Sequence, residues 1–118
     1  LEKRIWGIYF LNVISNGNYF YGLTSDGMLH RIALDGAIVS VKIPNATTKA
    51  ATLTTVDSNI YVGIDGNLIY GFNENLELLQ GFPIVGTGAP VFADANGDGN
   101  LDCFALTIDN KLNAWNLR

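Results

Sequence analysis

Three segments of the chain align with one another without a gap over about twenty residues, and this repeat limits the possible folds more than any other feature. They begin at Asn16, Val56 and Gly99, so consecutive copies are offset by 40 and 43 residues. Several matching columns in register indicate one supersecondary unit that is used three times. The matching positions are Tyr21, Tyr61 and Phe104, then Leu29, Ile69 and Leu112, then Ile32, Phe72 and Trp115.

Each unit is predicted to form two short β-strands joined by a tight turn. Residues 18–24, 59–64 and 101–107 are rich in aromatic and β-branched side chains, which favour a pleated strand. Ser-Asp-Gly, Asp-Gly or Asp-Asn follows in the three copies, and these residues tolerate the positive φ of hairpin turns. Apolar residues occupy both faces of the first strand in each pair, so we expect sheets that are covered on both sides. Helical spacing is sustained nowhere.

The repeat length and the several strands per unit are typical of β-propeller blades. Residues 59–83, NIYVGIDGNLIYGFNENLELLQGFP, resemble a blade of the pyrroloquinoline-quinone-like propeller repeat family. The shared features are a strand, an Asp-Gly hairpin, an aromatic strand and a short turn. The resemblance implies an all-β fold, a β-propeller segment of three four-stranded antiparallel blades. It implies no particular activity, because propellers serve many functions.

The blades are predicted at about residues 11–43, 50–84 and 89–117. The fourth strand of the second blade is placed at about 76–84, whereas the third blade lacks a fourth strand. Residues 3–10 predict an additional strand, which would complete the third blade in the same chain or in another copy and so remove an exposed edge. Three blades are too few for a closed ring. The chain is therefore expected to be a piece of a longer propeller or half of a six-bladed ring of two copies.

Residues 94–102, DANGDGNLD, place oxygen-bearing side chains at every second position between two predicted strands. The third unit is three residues longer than the second, and the extra residues fall in this loop. Calcium prefers six to eight hard oxygen ligands, so the loop predicts a calcium site, with Gly99 at its sharp turn. The ligands would be Asp94, Asn96, Asp98, the backbone carbonyl of Asn100, and Asp102.

The loop is not an EF-hand, because the twelfth position from Asp94 is Ala105 rather than a bidentate glutamate. An acid at the ninth position, followed directly by a strand, resembles instead the FG-GAP and integrin-type propeller loops, D-x-[DN]-x-D-G-x-x-D. The resemblance implies a structural ion that neutralises carboxylates and fixes the loop, with Asn96 weakening the site by the loss of one charge. The alternative is a polar turn capped by its own Asp and Asn side chains.

Composition and charge exclude several classes of partner and site. The formal net charge is −4 and the seven basic residues are scattered, which argues against nucleic acid and against an anionic membrane surface. The apolar run near the start of the chain is too short to insert into a membrane as a helix. Cys103 is the single cysteine and lies in an apolar run, which predicts a buried, unreactive thiol. His30 is the single histidine, so only one residue could serve as the histidine of a catalytic triad.

These features predict a non-catalytic interaction or scaffold module with a structural calcium loop. Extracellular modules bind calcium at about 10⁻⁴–10⁻³ M, so we expect an extracellular, cell-surface or periplasmic protein. The expected partners are other blades of a longer propeller or a second copy of the chain, and a protein or glycan ligand. The alternatives are a fragment of a propeller enzyme, either a quinone-dependent dehydrogenase or a polysaccharide-active enzyme, and a lectin-like propeller that stacks sugars on Trp6 or Trp115.

Overall fold

The computed structural model describes residues 10–44, 52–64, 68–94, 97–106 and 111–116. These residues form three antiparallel sheets of four, four and three strands, which do not close into a ring. The first sheet contains β1 (Phe10–Asn16), β2 (Tyr19–Thr24), β3 (Met28–Ala33) and β4 (Ile38–Lys42). The second contains β5 (Thr52–Val56), β6 (Asn59–Ile64), β7 (Leu68–Phe72) and β8 (Ile84–Val85). The third contains β9 (Thr87–Ala93), β10 (Asp102–Leu106) and β11 (Leu112–Asn116).

The all-β prediction is confirmed, and the three sheets follow the three sequence repeats in chain order. The repeat extends to the strand register, because equivalent residues of the central hairpins pair with the same offset in each sheet. The pairs are Tyr21 with Arg31, Tyr61 with Gly71, and Phe104 with Ala114. The aligned columns of the sequence therefore correspond to equivalent places in three similar hairpins.

The second sheet ends differently from the prediction. The predicted strand at about 76–84 is interrupted: Leu78 pairs with Phe72 of β7 through an isolated bridge, and β8 pairs with β7 as a separate short strand. The Asn73 side chain caps the turn that precedes Leu78, because its Oδ1 accepts hydrogen bonds from the backbone amides of Asn75 (2.9 Å) and Glu77 (3.0 Å). Leu76 takes the left-handed backbone conformation (φ 60°) in this turn and is nevertheless buried. Burial of its side chain offsets that conformational strain.

The boundary at the start of the first sheet also differs from the prediction. Phe10 pairs with Thr24 as part of β1, so it does not end a separate strand. The rest of the predicted strand at 3–10 lies outside the described residues, and its pairing with the third sheet stays a prediction. The third sheet begins at Thr87, slightly before the predicted boundary at residue 89, and its three described strands agree with the expected lack of a fourth.

The second sheet is buried on both faces, as the apolar first strands of the repeats predict. Ile60, Val62 and Ile64 of β6 belong to a core cluster shared with the first sheet, whereas Tyr61 belongs to a cluster shared with the third. Successive side chains of a strand point to opposite faces, so this alternation places one apolar core on each side of the second sheet. The second cluster consists of Tyr61, Ile69, Phe82, Ile84, Cys103 and Ala105.

The first strands of the sheets contribute to their stacking. β1 lies against β5, and β9 lies against β5, β6 and β7. Asn16, at the end of β1, donates side-chain hydrogen bonds to Thr55 Oγ1 (2.5 Å) and to the carbonyl of Asp57 (2.6 Å). Arg31 joins the same two sheets elsewhere, since its Nη1 donates to the carbonyl of Glu74 at 2.8 Å. Polar contacts therefore supplement the apolar core between the first and second sheets.

The outer faces of the first and third sheets, here called the end faces, carry large apolar side chains that solvent reaches. On the first sheet these are Val13, Phe20 and Ile38, and on the third sheet they are Val91, Leu106 and Leu112. Their exposed fractions run from 40% at Ile38 to 65% at Leu112. No helix in the described ranges has the length and hydrophobicity needed to cross a membrane.

Candidate functional site

The loop between β9 and β10 contains the predicted calcium ligands. Asp94 follows the last residue of β9, and Asp102 is the first residue of β10. Asp98 and Asn100 lie in the exposed part of the loop. The predicted ligand Asn96 lies outside the described residues.

The Asp94 carboxylate organises the loop by accepting backbone hydrogen bonds. Its Oδ1 accepts from the amides of Gly97 (2.9 Å) and Asp98 (3.1 Å), and its Oδ2 accepts from the amide of Gly99 (2.9 Å). Gly97 and Gly99 have φ values of 76° and 84°, which glycine adopts without the steric cost of a side chain. A carboxylate offers about four lone-pair positions, so these amides leave room for about one further ligand.

Asp98 makes a second, smaller turn within the loop. Its Oδ1 accepts a hydrogen bond from the backbone amide of Asn100 at 2.9 Å. This is the Asx turn, in which an aspartate side chain takes the place of a backbone carbonyl. The same arrangement occurs at Asp35, whose Oδ1 accepts from the amide of Ala37 at 2.9 Å. The described loop is thus held together by its own acidic side chains.

Asp102 differs from the other loop acids because it is buried, with 6% of its surface exposed. It lies opposite Ala93 on one side and Asn116 on the other, so it stands beside the start of the loop. Within the described part of the chain, no hydrogen bond or ion pair reaches its carboxylate. Among the described residues, the one buried side-chain polar atom without a hydrogen-bond partner is Thr52 Oγ1 and not an oxygen of Asp102, so the low exposure of Asp102 does not by itself require a cation.

The acidic side chains of the loop do not converge on one point. Among the described residues, no three His, Cys, Asp or Glu side chains form a group that could hold a metal ion. The polar turn that the sequence left as an alternative accounts for the hydrogen bonds of Asp94 and Asp98. It does not account for the burial of Asp102.

A cleft of about 480 Å³ lies between this loop and the second sheet. One wall is the loop segment from Gly99 to Leu101, and the other includes Asn59 and Tyr61 of β6. Sequence reasoning did not find the cleft, because its two walls are about forty residues apart in the chain. The one available signal was the longer third unit, whose additional residues fall in the loop that forms a wall.

Aromatic rings form the floor of the cleft. The Tyr61 ring centroid lies 4.5 Å from that of Phe92 and 5.5 Å from that of Phe82, as is usual for packed aromatic pairs. Burial is the largest cause that raises the pKa of the Tyr61 phenol. The Asn59 side chain opposes this shift, and the negative charge of Asp57 adds to it. The phenol is therefore neutral at physiological pH and presents an apolar ring to the cleft.

Cys103 and Trp115, which the sequence suggested as a thiol and a sugar-stacking residue, pack in the core between the second and third sheets. Cys103 is fully buried, and burial raises the pKa of its thiol to about 11, so it is protonated at neutral pH. This agrees with the predicted unreactive thiol. Trp115 packs against the core cluster between the second and third sheets. Trp6 lies outside the described residues.

His30 belongs to a chain of polar side chains on the first sheet. Thr24 Oγ1 donates its proton to Asp26 Oδ1 and therefore accepts from His30 Nε2, which lies 3.1 Å away. His30 Nδ1 then accepts from the Ser40 hydroxyl at 2.6 Å. The network thus assigns a neutral imidazole with its proton on Nε2. The Phe10 ring packs edge-on against the imidazole, with 5.9 Å between centroids.

Acid is expected to weaken the fold through His30. Burial lowers the pKa of this imidazole below its ordinary 6.5, and the Asp26 charge opposes the shift only in part. His30 therefore binds a proton more readily in the unfolded chain than in the folded one. Its contribution to the free energy of unfolding is complete above about pH 6.5 and is lost as the pH falls below that value. The measurement is the free energy of unfolding between about pH 7.5 and pH 5.5. His30→Asn, which copies Asn113 of the third unit, should make the free energy of unfolding depend less steeply on pH. An equal dependence in the variant and the unsubstituted chain would refute this role of His30.

No protein-family model matches the chain, and no curated protein has significant sequence similarity to it.

Proposed function

We propose that the chain is a non-catalytic segment of a β-propeller scaffold, in which further sheets cover its two end faces. One observation carries the proposal: the second sheet is buried on both faces, whereas its two neighbours are each buried on one. The three sheets arise from one repeated unit, so the end faces have the same apolar chemistry as the faces that are already covered. Apolar patches of this kind mark interaction surfaces.

The sheets that cover the end faces belong either to a longer parent chain or to a second copy of this chain. Both alternatives place an apolar sheet against Val13, Phe20 and Ile38 at one end of the stack. They place another against Val91, Leu106 and Leu112 at the other end. Either arrangement removes exposed apolar area and continues the stacking of one sheet on the next.

Self-association tests the end faces. Val91→Lys places a charge at a side chain that is 63% exposed, so it should leave the fold intact and weaken association. Val85→Lys is the matched control, because Val85 is 54% exposed but lies in β8 of the second sheet, away from the end faces. Sedimentation velocity should show weaker association for Val91→Lys only. Equal association of the three proteins would count against the proposal.

We also propose that the β9–β10 loop binds calcium as a structural ion, through the side chains of Asp94, Asn96, Asp98 and Asp102 and the backbone carbonyl of Asn100. The position of Asp94 and Asp102 at the two ends of one loop supports this proposal. Calcium would supply positive charge and fix the loop without taking part in a reaction. Because the described acids do not form a group of three, the ion would have to draw them together, which predicts a weak site. Such a site suits an exported or cell-surface protein.

Calcium is expected to raise the melting temperature. For a dissociation constant of about 10⁻⁴–10⁻³ M, about 2 mM calcium stabilises the folded state by about 0.5–2 kcal/mol. Thermal unfolding followed by circular dichroism, with calcium and with a chelator, measures this difference. Magnesium at the same concentration is the control for ionic strength.

The matched variants for this test are Asp98→Asn and Asp35→Asn. Each removes one charge and keeps the side-chain oxygen that caps its own turn. Asp98→Asn should lose most of the calcium response, and Asp35→Asn should keep it. Identical melting with calcium and with chelator in the unsubstituted chain would leave the loop as a polar turn and would remove calcium from the proposed function.

A further inference from the structure

The cleft between the β9–β10 loop and the second sheet has features that neither stacking nor calcium binding uses. Its volume of about 480 Å³ lies within the roughly 300–1,000 Å³ of small-ligand pockets. Val56, Leu79 and Phe92 contribute apolar surface to it, and each is only partly buried. A ligand would therefore cover apolar area that solvent now reaches.

The charge in the cleft is negative and unbalanced. Asp57 is the only charged residue among the described residues that line it. Its side chain is exposed, and no lysine or arginine of the described ranges pairs with its carboxylate. A cation on an apolar stem is complementary to a single carboxylate beside aromatic and aliphatic walls. Ammonium and guanidinium groups form strong hydrogen bonds to carboxylates and are attracted to the faces of aromatic rings.

Three side-chain amides line the cleft together with this carboxylate. They belong to Asn59, Gln80 and Asn100, which line the cleft from the second sheet and from the loop. Each amide offers a donor and an acceptor, as does each peptide group of an extended chain. The lining therefore matches a short peptide better than a bare amine, which would leave the amides without partners.

We propose that this cleft binds a short segment of a partner protein that carries one arginine or lysine. Its cation pairs with Asp57, its stem and an adjacent apolar side chain cover Val56 and Leu79, and its backbone bonds to the amides. This inference deepens the proposed scaffold function by naming the partner chemistry, and it rests on that function. It is independent of the end faces, because none of the end-face residues named above lines the cleft.

The test is a titration of the ¹⁵N-labelled chain, followed by amide chemical shifts. The probes are acetyl-Leu-Arg-Leu-amide, the same peptide with neutral citrulline in place of arginine, agmatine, and lactose. The arginine peptide should shift amides of residues 57–61, 79–82 and 99–101. It should bind about fivefold more tightly than the citrulline peptide, which is the upper end for a solvent-exposed ion pair. Agmatine, which lacks peptide groups, should bind more weakly than the arginine peptide.

Asp57→Asn separates charge from shape. Asp57 has φ 54°, and asparagine adopts this conformation as readily as aspartate, so the turn should persist. The variant should bind the arginine and citrulline peptides with equal affinity. Asp35→Asn removes a charge from a turn of the first sheet, and it should still bind the arginine peptide more tightly than the citrulline peptide.

Three results would overturn the inference: equal binding of the arginine and citrulline peptides to the unsubstituted chain, shifts caused by lactose and not by the peptide, or no shift with any probe. The second would make the cleft a carbohydrate site. Failure of the scaffold proposal is visible separately, because it appears as absent self-association and not as absent peptide binding.

Discussion

Replacing Ile60 by alanine is expected to lower the free energy of unfolding by about 2–5 kcal/mol. Ile60 lies in β6, is fully buried, and belongs to the core cluster between the first and second sheets. Truncation removes apolar contacts and leaves a cavity that sheets packed on both sides cannot easily close. For a chain of this size the effect is a large share of the total stability.

Chemical denaturation of the unsubstituted chain and of two further variants measures this effect. Ile60→Val removes one methylene group and should cost about 0.5–1.5 kcal/mol. Leu78→Ala truncates a side chain that is 52% exposed and lies on neither end face, so it should cost about 0.5 kcal/mol or less. Equal stabilities for Ile60→Ala and Leu78→Ala would show that the first two sheets do not share a packed core.

Replacing Gly86 by alanine is expected to cost about 1–3 kcal/mol, as overpacking of a tight core does. Gly86 lies where the second sheet leads into the third. A Cβ atom there would lie 2.7 Å from the Ala105 Cβ and 2.9 Å from the Ile69 Cδ1, both closer than van der Waals contact. Its φ is not in the left-handed region, so without the clash the substitution would stabilise the fold by about 0.4–1 kcal/mol. Whether Gly86→Ala lowers or raises the free energy of unfolding therefore shows whether the two sheets approach closely at this residue.

The double variant Gly86→Ala with Ala105→Gly isolates that contact. Ala105→Gly removes the nearest atom, and the Ile69 methyl is the end of a side chain that rotates. In the Ala105→Gly background the cost of Gly86→Ala should fall by about 1 kcal/mol or more, as expected for two residues in direct contact. Neutral or stabilising behaviour of Gly86→Ala in the original background would mean that the second and third sheets do not meet at this point.

The repeat made most of the fold predictable from the sequence. Its columns place Tyr21, Tyr61 and Phe104 at the same register position of three hairpins. The apolar residues on both faces of the predicted strand at 59–64 anticipated a sheet with a core on each side. Strand spacing and turn residues are local signals, so they survive in a single sequence.

The fourth strand of the second sheet was less predictable, because turns at its start and in its middle divide it into two short pairings with β7. Asn73 caps the turn at the start of the predicted strand, and Leu76 is buried from within that turn. A second turn, in which the Phe82 amide donates to the Leu79 carbonyl, separates the Leu78 bridge from β8. Asparagine bonds to nearby backbone amides in competition with a sheet ladder. An apolar residue after Asn-Glu-Asn is thus compatible with either a strand or a turn, and the sequence pattern did not distinguish them.

The loop and the cleft differ in how much the sequence revealed. Alternating acids identified the loop, but they did not indicate that Asp94 would accept three backbone amides or that Asp102 would be buried. The cleft depends on bringing together residues 56–61 and 99–101, which belong to two different repeats and line its two sides. Spacing along one strand carries no information about such a contact.

The mass of the chain in solution, measured by light scattering over a range of concentrations, tests most directly whether the end faces are docking surfaces. We predict association to at least about twice the chain mass of 12.8 kDa, because each end face leaves apolar side chains uncovered in a monomer. A particle of 12.8 kDa that remains monomeric at high concentration and melts in one cooperative transition would contradict this prediction, since such a monomer would not need further sheets.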